Sequence, residues 1–196
     1  YTDRLLNYDS SKQTLYSLSA YHTSGIISYN MLTKKIEKDS IPGAIRFHQV
    51  INNFVADNDI LYMARWGGMS RYNLTTRKLD SIAYRNGTFN SQKEVFFDVC
   101  RSADKIYFAG GGKDNPYEYD KVSKTVKGLS LFPEQDSGKN YNSNSLLFHH
   151  GILYVGANYG ASIYCYNEAT GEKYAIPIPA NYLKGNFEII QSLCVD

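Results

Sequence analysis

Four histidines and three cysteines are the side chains of this 196-residue chain best suited to holding a metal: His22, His48, His149 and His150, with Cys100, Cys165 and Cys194. Their spacing argues against that use. Zinc sites draw on close H-x-H, H-x-x-x-H or C-x-x-C pairs that aim two ligands at one ion, and none occurs. His149 and His150 are neighbours in a strand-like run, where successive side chains point to opposite faces. The cysteines are odd in number, which argues against a full disulfide framework. Cys100 and Cys194 sit in apolar runs, so buried free thiols are expected. Catalytic patterns are equally sparse. Glycoside hydrolysis needs two facing carboxylates, and Asp98 is the one acid well inside a first strand of the repeats described below. The nucleophile motif G-x-S-x-G is missing. Gly110-Gly111-Gly112 precedes no helix, so it is a turn and not a phosphate loop. The expectation is a chain without a catalytic residue, metal or cofactor.

What remains is aromatic and polar. The chain has 18 Tyr, 9 Phe and 1 Trp. Four short segments join an aromatic or basic side chain to hydrogen-bonding heads: Tyr21-His22, Arg65-Trp66, Lys113-Asp114-Asn115 and Asn158-Tyr159. Flat rings beside planar polar groups suit sugars, which offer apolar ring faces and hydroxyls. A wedge at a junction between structural units would account for Trp66 equally well.

The elements that must carry these segments repeat. Leu/Ile-Tyr recurs at Leu15-Tyr16, Leu61-Tyr62, Ile106-Tyr107 and Leu153-Tyr154, with tyrosine spacings of 46, 45 and 47. A second mark follows at Tyr29-Asn30, Tyr72-Asn73, Tyr119-Asp120 and Tyr166-Asn167, spaced 43, 47 and 47. Glycine turns lie between the marks, and polar turns such as Thr33-Lys34-Lys35 and Thr76-Arg77-Lys78 follow them. Each period reads as four short strands, with no helical periodicity of any length. A period of about 40–50 residues carrying four antiparallel strands is the signature of a β-propeller blade. An immunoglobulin-like sandwich would not repeat its marks at fixed spacing.

The fold expectation is therefore all-β: a β-propeller of four four-stranded blades, approximately 1–41, 45–84, 94–130 and 144–179. Residues 187–196 start a further blade, since Ile190–Asp196 parallels Ile51–Asp57. All of 1–196 belongs to one partial propeller, within a larger, seven-bladed ring. Hydrophobic residues make up 43% and charged residues 20%, the balance of a globular chain. A formal net charge of +2 with scattered Lys and Arg gives no basic face for nucleic acid. No apolar run approaches the roughly 18 residues of a membrane span. The chain opens at Tyr1 without an initiator Met or a signal-peptide pattern, and reads as a piece of something longer.

The marks resemble the two-component regulator propeller repeat. The best copy is Asp59-Ile60-Leu61-Tyr62-Met63-Ala64-Arg65-Trp66-Gly67-Gly68-Met69-Ser70-Arg71-Tyr72-Asn73, with Tyr where that family usually has Trp. Gly156 keeps the glycine of the family's Leu-Trp-Ile-Gly-Thr pentad, and Ser192–Asp196 matches the start of the repeat. The resemblance implies the periplasmic sensor of a hybrid two-component receptor of gut Bacteroidetes. Such sensors bind oligosaccharides, signal to a histidine kinase as homodimers, and meet the membrane only through other segments. Fold alone does not specify function, and two other readings compete. One is a lyase-like carbohydrate-active propeller enzyme, since virginiamycin-lyase-like propellers share parts of the pattern. The other is a protein–protein scaffold.

Within a blade, the loop between the second and third strands shares a rim with the loop leading to the next blade. Binding residues favour such loops over a rigid scaffold. The expected ligand-binding set is Tyr21, His22, Arg65, Trp66, Lys113, Asp114, Asn158 and Tyr159, with Trp66 as the stacking face.

Overall fold

The computed structural model describes residues 4–19, 25–41, 51–82, 95–111, 114–132, 142–158, 162–182 and 189–194. Among the described residues, sixteen strands form four antiparallel meanders of four. The first sheet is β1 (Arg4–Asp9), β2 (Thr14–Ser19), β3 (Gly25–Asn30) and β4 (Ile36–Ser40). The second is β5 (Ile51–Asp57), β6 (Ile60–Arg65), β7 (Gly68–Asn73) and β8 (Lys78–Ile82). The third is β9 (Phe96–Arg101), β10 (Lys105–Gly110), β11 (Tyr117–Asp120) and β12 (Val126–Gly128). The fourth is β13 (Ser143–His149), β14 (Ile152–Ala157), β15 (Ser162–Asn167) and β16 (Lys173–Pro177). One short 3-10 turn, Ala180–Tyr182, lies in a stretch the sequence reads as loop. Among the described residues no helix is long and apolar enough to cross a membrane. The chain divides into two compact units, residues 1–96 and 97–196.

The repeated marks have local physical causes. In a strand covered on both faces, neighbouring side chains that point opposite ways are both buried. Leu61 and Tyr62, and Ile106 and Tyr107, are such pairs. The Asn/Asp of the second mark caps the turn into the outer strand. Asn30 Oδ1 accepts the amides of Leu32 (3.0 Å) and Thr33 (2.8 Å). Asp120 Oδ1 accepts those of Val122 (2.9 Å) and Ser123 (2.7 Å). Asn167 Oδ1 accepts those of Ala169 (3.0 Å) and Thr170 (3.1 Å), and Asn73 Oδ1 that of Thr76 (2.7 Å). These side chains mimic a backbone turn. The turn then needs a left-handed residue: Lys34 (φ 59°), Arg77 (56°) and Lys124 (60°) adopt that conformation, whereas the fourth sheet uses Gly171 (74°).

Each unit has its own core. Tyr16, Leu18, Ile26, Phe54, Leu61, Met63 and Tyr72 cluster in the first. Tyr107, Leu129, Leu146, Leu153, Val155, Tyr164 and Tyr166 cluster in the second. Polar side chains tie innermost strands to the sheet that follows. Asn7 Oδ1 accepts the Ala56 amide (2.9 Å), and Asn52 Nδ2 donates to the Phe96 carbonyl (2.6 Å). In the second unit Asp98 Oδ2 accepts the Leu146 amide (2.7 Å), and Ser145 Oγ donates to the Ile190 carbonyl (3.0 Å). Asp98 thus holds strands together.

Two expectations are corrected here. The rings of His149 and His150 do not diverge; they stack with centroids 3.8 Å apart. His150 has already left the strand at φ 47°, at the turn between β13 and β14. The thiols are not all buried: Cys165 is buried and Cys100 half-buried, but Cys194 is exposed. Residues 189–194 touch the fourth sheet on one side, through an Asn158–Ile189 bridge and the Ile190 amide on the Ala157 carbonyl (3.3 Å).

Candidate functional site

The rim segments sit where β6, β10 and β14 end. Arg65 closes β6, pairing with Ile51 on one side and Gly68 on the other. Gly67 and Gly68 then take φ of 84° and 132°, values open to glycine. Arg65 is buried, and its Nη1 donates to Ser70 Oγ at 3.2 Å. Burial holds its guanidinium below the usual arginine range. Trp66, next along, is 48% exposed. Its backbone bridges Val95, the residue before β9. A buried, hydrogen-bonded arginine thus precedes a half-exposed ring in the chain.

In the second unit, Asn115 and Asn158 meet at the entrance to β13, and Asp114 lies next to Asn115. Asp114 is half-buried. Its Oδ1 accepts from Ser130 Oγ (3.4 Å), and its carbonyl accepts the Ser130 amide (3.0 Å). The adjacent Asn115 is fully buried and accepts the Ser143 amide (2.9 Å). Asn158 is buried too. Its Oδ1 accepts the Asn142 amide (2.5 Å), and its own amide donates to the Asn142 carbonyl (3.1 Å). Arg65, Asp114 and Asn158 all belong to the ligand-binding set expected from the sequence. In the structure Arg65 and Asn158 are both buried, each hydrogen-bonded within its own unit, while Trp66 is half-exposed. Tyr21, His22, Lys113 and Tyr159 lie outside the described residues, as does His48. Among the described residues no group of three or more His, Cys, Asp or Glu is arranged to hold a metal.

Two polar clusters escaped the sequence reading. Between the third and fourth sheets, buried Glu118 accepts from Lys127 Nζ (3.1 Å) and faces Lys105 Nζ at 3.5 Å. The Tyr166 hydroxyl approaches it at 3.5 Å. Lys105 also pairs with Asp120, and this bond pulls the Asp120 carboxyl well below its ordinary range. Beside them the Tyr107 hydroxyl (2.9 Å) and Ser102 Oγ (2.6 Å) both donate to Glu168 Oε1. Burial, and then that bond, push the Tyr107 phenol far above its ordinary value.

Between the first and second sheets, the same place holds an open cleft of about 650 Å³. Tyr16, Ile26 and Ser28 line it from the first sheet, and Leu74, Thr75 and Arg77 from the second. Aligning the repeats by strand register exposes this contrast. Tyr16, Ser28 and Glu37 form one cross-strand row, and Tyr107, Glu118 and Lys127 form the matching one.

No protein-family model matches the chain. No curated protein matches it either. Solved structures do. Over its full length the chain matches the crystal structure of the extracellular domain of the putative hybrid two component system BT4673 from B. thetaiotaomicron, with a TM-score of 0.70 at 18% identity. It covers 25% of that chain, and so spans about a quarter of its length. A second structure, titled as the extracellular domain of the putative one component system BT4673 from B. thetaiotaomicron, matches over 84% of this chain and 21% of its own, with a TM-score of 0.60 at 22% identity. The RRP9 WD40 repeats match over 96% of this chain and 55% of theirs, with a TM-score of 0.63 at 10% identity. The fold is that of a β-propeller, shared with the BT4673 extracellular domain and with the RRP9 WD40 repeats.

Proposed function

We propose that this chain is part of a periplasmic, ligand-sensing propeller of a two-component signalling receptor. It binds an oligosaccharide and passes the signal, through paired receptor subunits, to a kinase. The observation that carries this reading is the full-length likeness in fold to the extracellular domain of a hybrid two component system, at a TM-score of 0.70. The rim agrees with it in chemistry. A half-exposed tryptophan beside a buried, hydrogen-bonded arginine is a rigid stacking platform. In this reading Trp66 supplies the sugar-stacking face, and Tyr21, His22, Lys113, Asp114 and Tyr159 supply contacts around it. In the same reading Arg65 and Asn158 complete the set, each fixed by a hydrogen bond within its own unit.

All of 1–196 belongs to one propeller in this reading, and residues 189–194 are the innermost strand of a further blade. Two observations favour that. Ser145 binds Ile190 as Asp98 binds Leu146, from one innermost strand to the next. A Cβ on Gly156 would meet Ser145 Oγ of its own sheet at 2.3 Å and Ile190 Cγ2 at 2.6 Å, so this glycine leaves room for both Ser145 and the segment that follows.

Calorimetric titration with defined gluco-, galacto-, manno- and xylo-oligosaccharides tests the function. One series is expected to bind, and Trp66→Ala should weaken it by on the order of tenfold to a hundredfold while the protein stays folded. Equal binding by Trp66→Ala would remove the rim from the account. Cleavage of the sugar would replace the sensor with an enzyme.

A further inference from the structure

We propose that the cleft between the first and second sheets is a second binding site, selective for a small, uncharged, polyhydroxylated ligand of one or two rings. Its volume of about 650 Å³ lies within the roughly 300–1,000 Å³ of small-molecule sites. The cleft exists because of two exchanges. Where the matching junction has Glu118, this one has Ser28, in the same cross-strand row. Where that junction has Glu168, this one has Leu74. Their equivalence is set by the backbone: the Leu74 amide donates to the Asp59 carbonyl, and the Glu168 amide to the Gly151 carbonyl, each across the preceding turn. Two long acids fill the one junction, and a hydroxyl and an isobutyl group leave the other open.

The lining selects the ligand. Its three carboxylates are each already paired: Asp59 with Lys12, Glu37 with Lys35 (2.6 Å) and Asp39 with Arg77 (3.4 Å). The first and third of these pairs cross from one sheet to the other. The fourth lining cation, Lys38, alternates with Glu37 and Asp39 along β4, so its side chain leaves from the opposite face of the strand. An anion entering here therefore meets those acids, and a cation must displace a lysine or the arginine. A hydroxyl needs neither exchange. It accepts from the N–H of a pair and donates to its carboxylate, both of which have capacity to spare. Between the charged walls, Tyr16, Ile26 and Leu74 present apolar surface to the C–H face of a ring. The Ser28 and Thr75 hydroxyls complete the set. None of these residues belongs to the rim.

The test follows the Ile26 and Leu74 methyl resonances while D-glucose, D-galactose, D-xylose or cellobiose is added, with glycine and acetate as charged comparators. At least one sugar should shift both methyls saturably, with a millimolar or tighter Kd. Ser28→Glu, which restores the acid of the other junction, should weaken that binding at least tenfold. Trp66→Ala should leave it unchanged. Leu74→Glu gives a second way to fill the cleft should Ser28→Glu fail to fold. Shifts with glycine or acetate alone, no saturable shift with any sugar, or sugar binding that survives both filling variants would each overturn the proposal. Loss in Trp66→Ala with retention in Ser28→Glu would overturn the cleft and leave the rim standing.

Discussion

The junction between the first two sheets and the junction between the last two are built on one plan and finished differently. Both set a Leu/Ile-Tyr strand against the turn of the next sheet, with a tyrosine at the head of a three-strand row. In the second unit the row continues into Glu118 and Lys127, and the facing turn supplies Glu168. In the first unit it continues into Ser28 and Glu37, and the facing turn supplies Leu74. One junction is closed by a buried acid with two lysines around it; the other is an open groove walled by ion pairs. The strand framework thus tolerates either outcome, and a few side chains decide whether a junction is structural or available to a ligand.

The sharpest way to break this comparison is to remove the acid from the closed junction. Glu118→Ala leaves two lysines and a tyrosine hydroxyl without their shared acceptor. It should destabilise the protein by about 1–3 kcal/mol. Ser28→Ala at the matching position should change stability by no more than about 0.5 kcal/mol. Urea midpoints of the two variants check this, and equal effects would erase the distinction.

A smaller effect is expected from the paired tyrosines. Tyr107→Phe loses a buried hydrogen bond to Glu168 and should cost about 0.5–1.5 kcal/mol near neutral pH. Tyr16→Phe should cost less, because the Tyr16 hydroxyl has no hydrogen-bond partner among the described residues. The raised Tyr107 value also sets a sign. In the folded protein the phenol keeps its proton above its ordinary value of 10.0. Above that pH the unfolded chain has lost a proton that the folded chain retains, so stability falls as pH rises. Tyr107→Phe should flatten the decline above about pH 10, seen in melting temperature against pH. Tyr16, raised chiefly by burial and then by Asp9, Asp59 and Glu37, should contribute a weaker slope of the same sign.

How much of this was legible in the sequence depends on the range of the contacts. The two marks stood out because each solves a local problem: Leu61-Tyr62 fills both faces of a covered strand, and Asn30 or Asp120 caps the turn that follows it. The pairing of Ser102 with Glu168 joins residues 66 positions apart, and no local pattern announces it. Glu118 looks like any charged strand residue until Lys105 and Lys127 are brought beside it. At the rim, Arg65-Trp66 was visible as a pair. Their division into a buried arginine and an exposed ring follows from the Ser70 contact and the Val95 bridge. Cys194 reads as apolar from its run but is exposed, because its segment meets the fourth sheet on one side.

Thiol chemistry probes that last difference. Cys194 should react with a maleimide much faster than Cys165, which is fully buried, or Cys100, whose thiol is pushed well up by burial and then by Asp98. Mass spectrometry of labelled peptides over time gives the order, and equal rates would contradict the placement of residues 189–194. The smallest expected change lies in the outer turns. Lys124→Gly relieves a left-handed lysine and should stabilise by up to about 1 kcal/mol. Gly171→Ala, at the same turn of the fourth sheet, should destabilise by a similar amount even though nothing lies within 4 Å of its added Cβ. Thermal melts of the two variants should move in opposite directions.

The central claim, a sugar-sensing rim with Trp66 as its platform, has a direct reporter, because Trp66 is the only tryptophan in the chain. Its fluorescence should be followed during titration with the oligosaccharide series that binds by calorimetry. The account predicts a saturable blue shift, with protection from iodide quenching, at the calorimetric Kd. Calorimetric binding with unchanged Trp66 emission and unchanged quenching would contradict it.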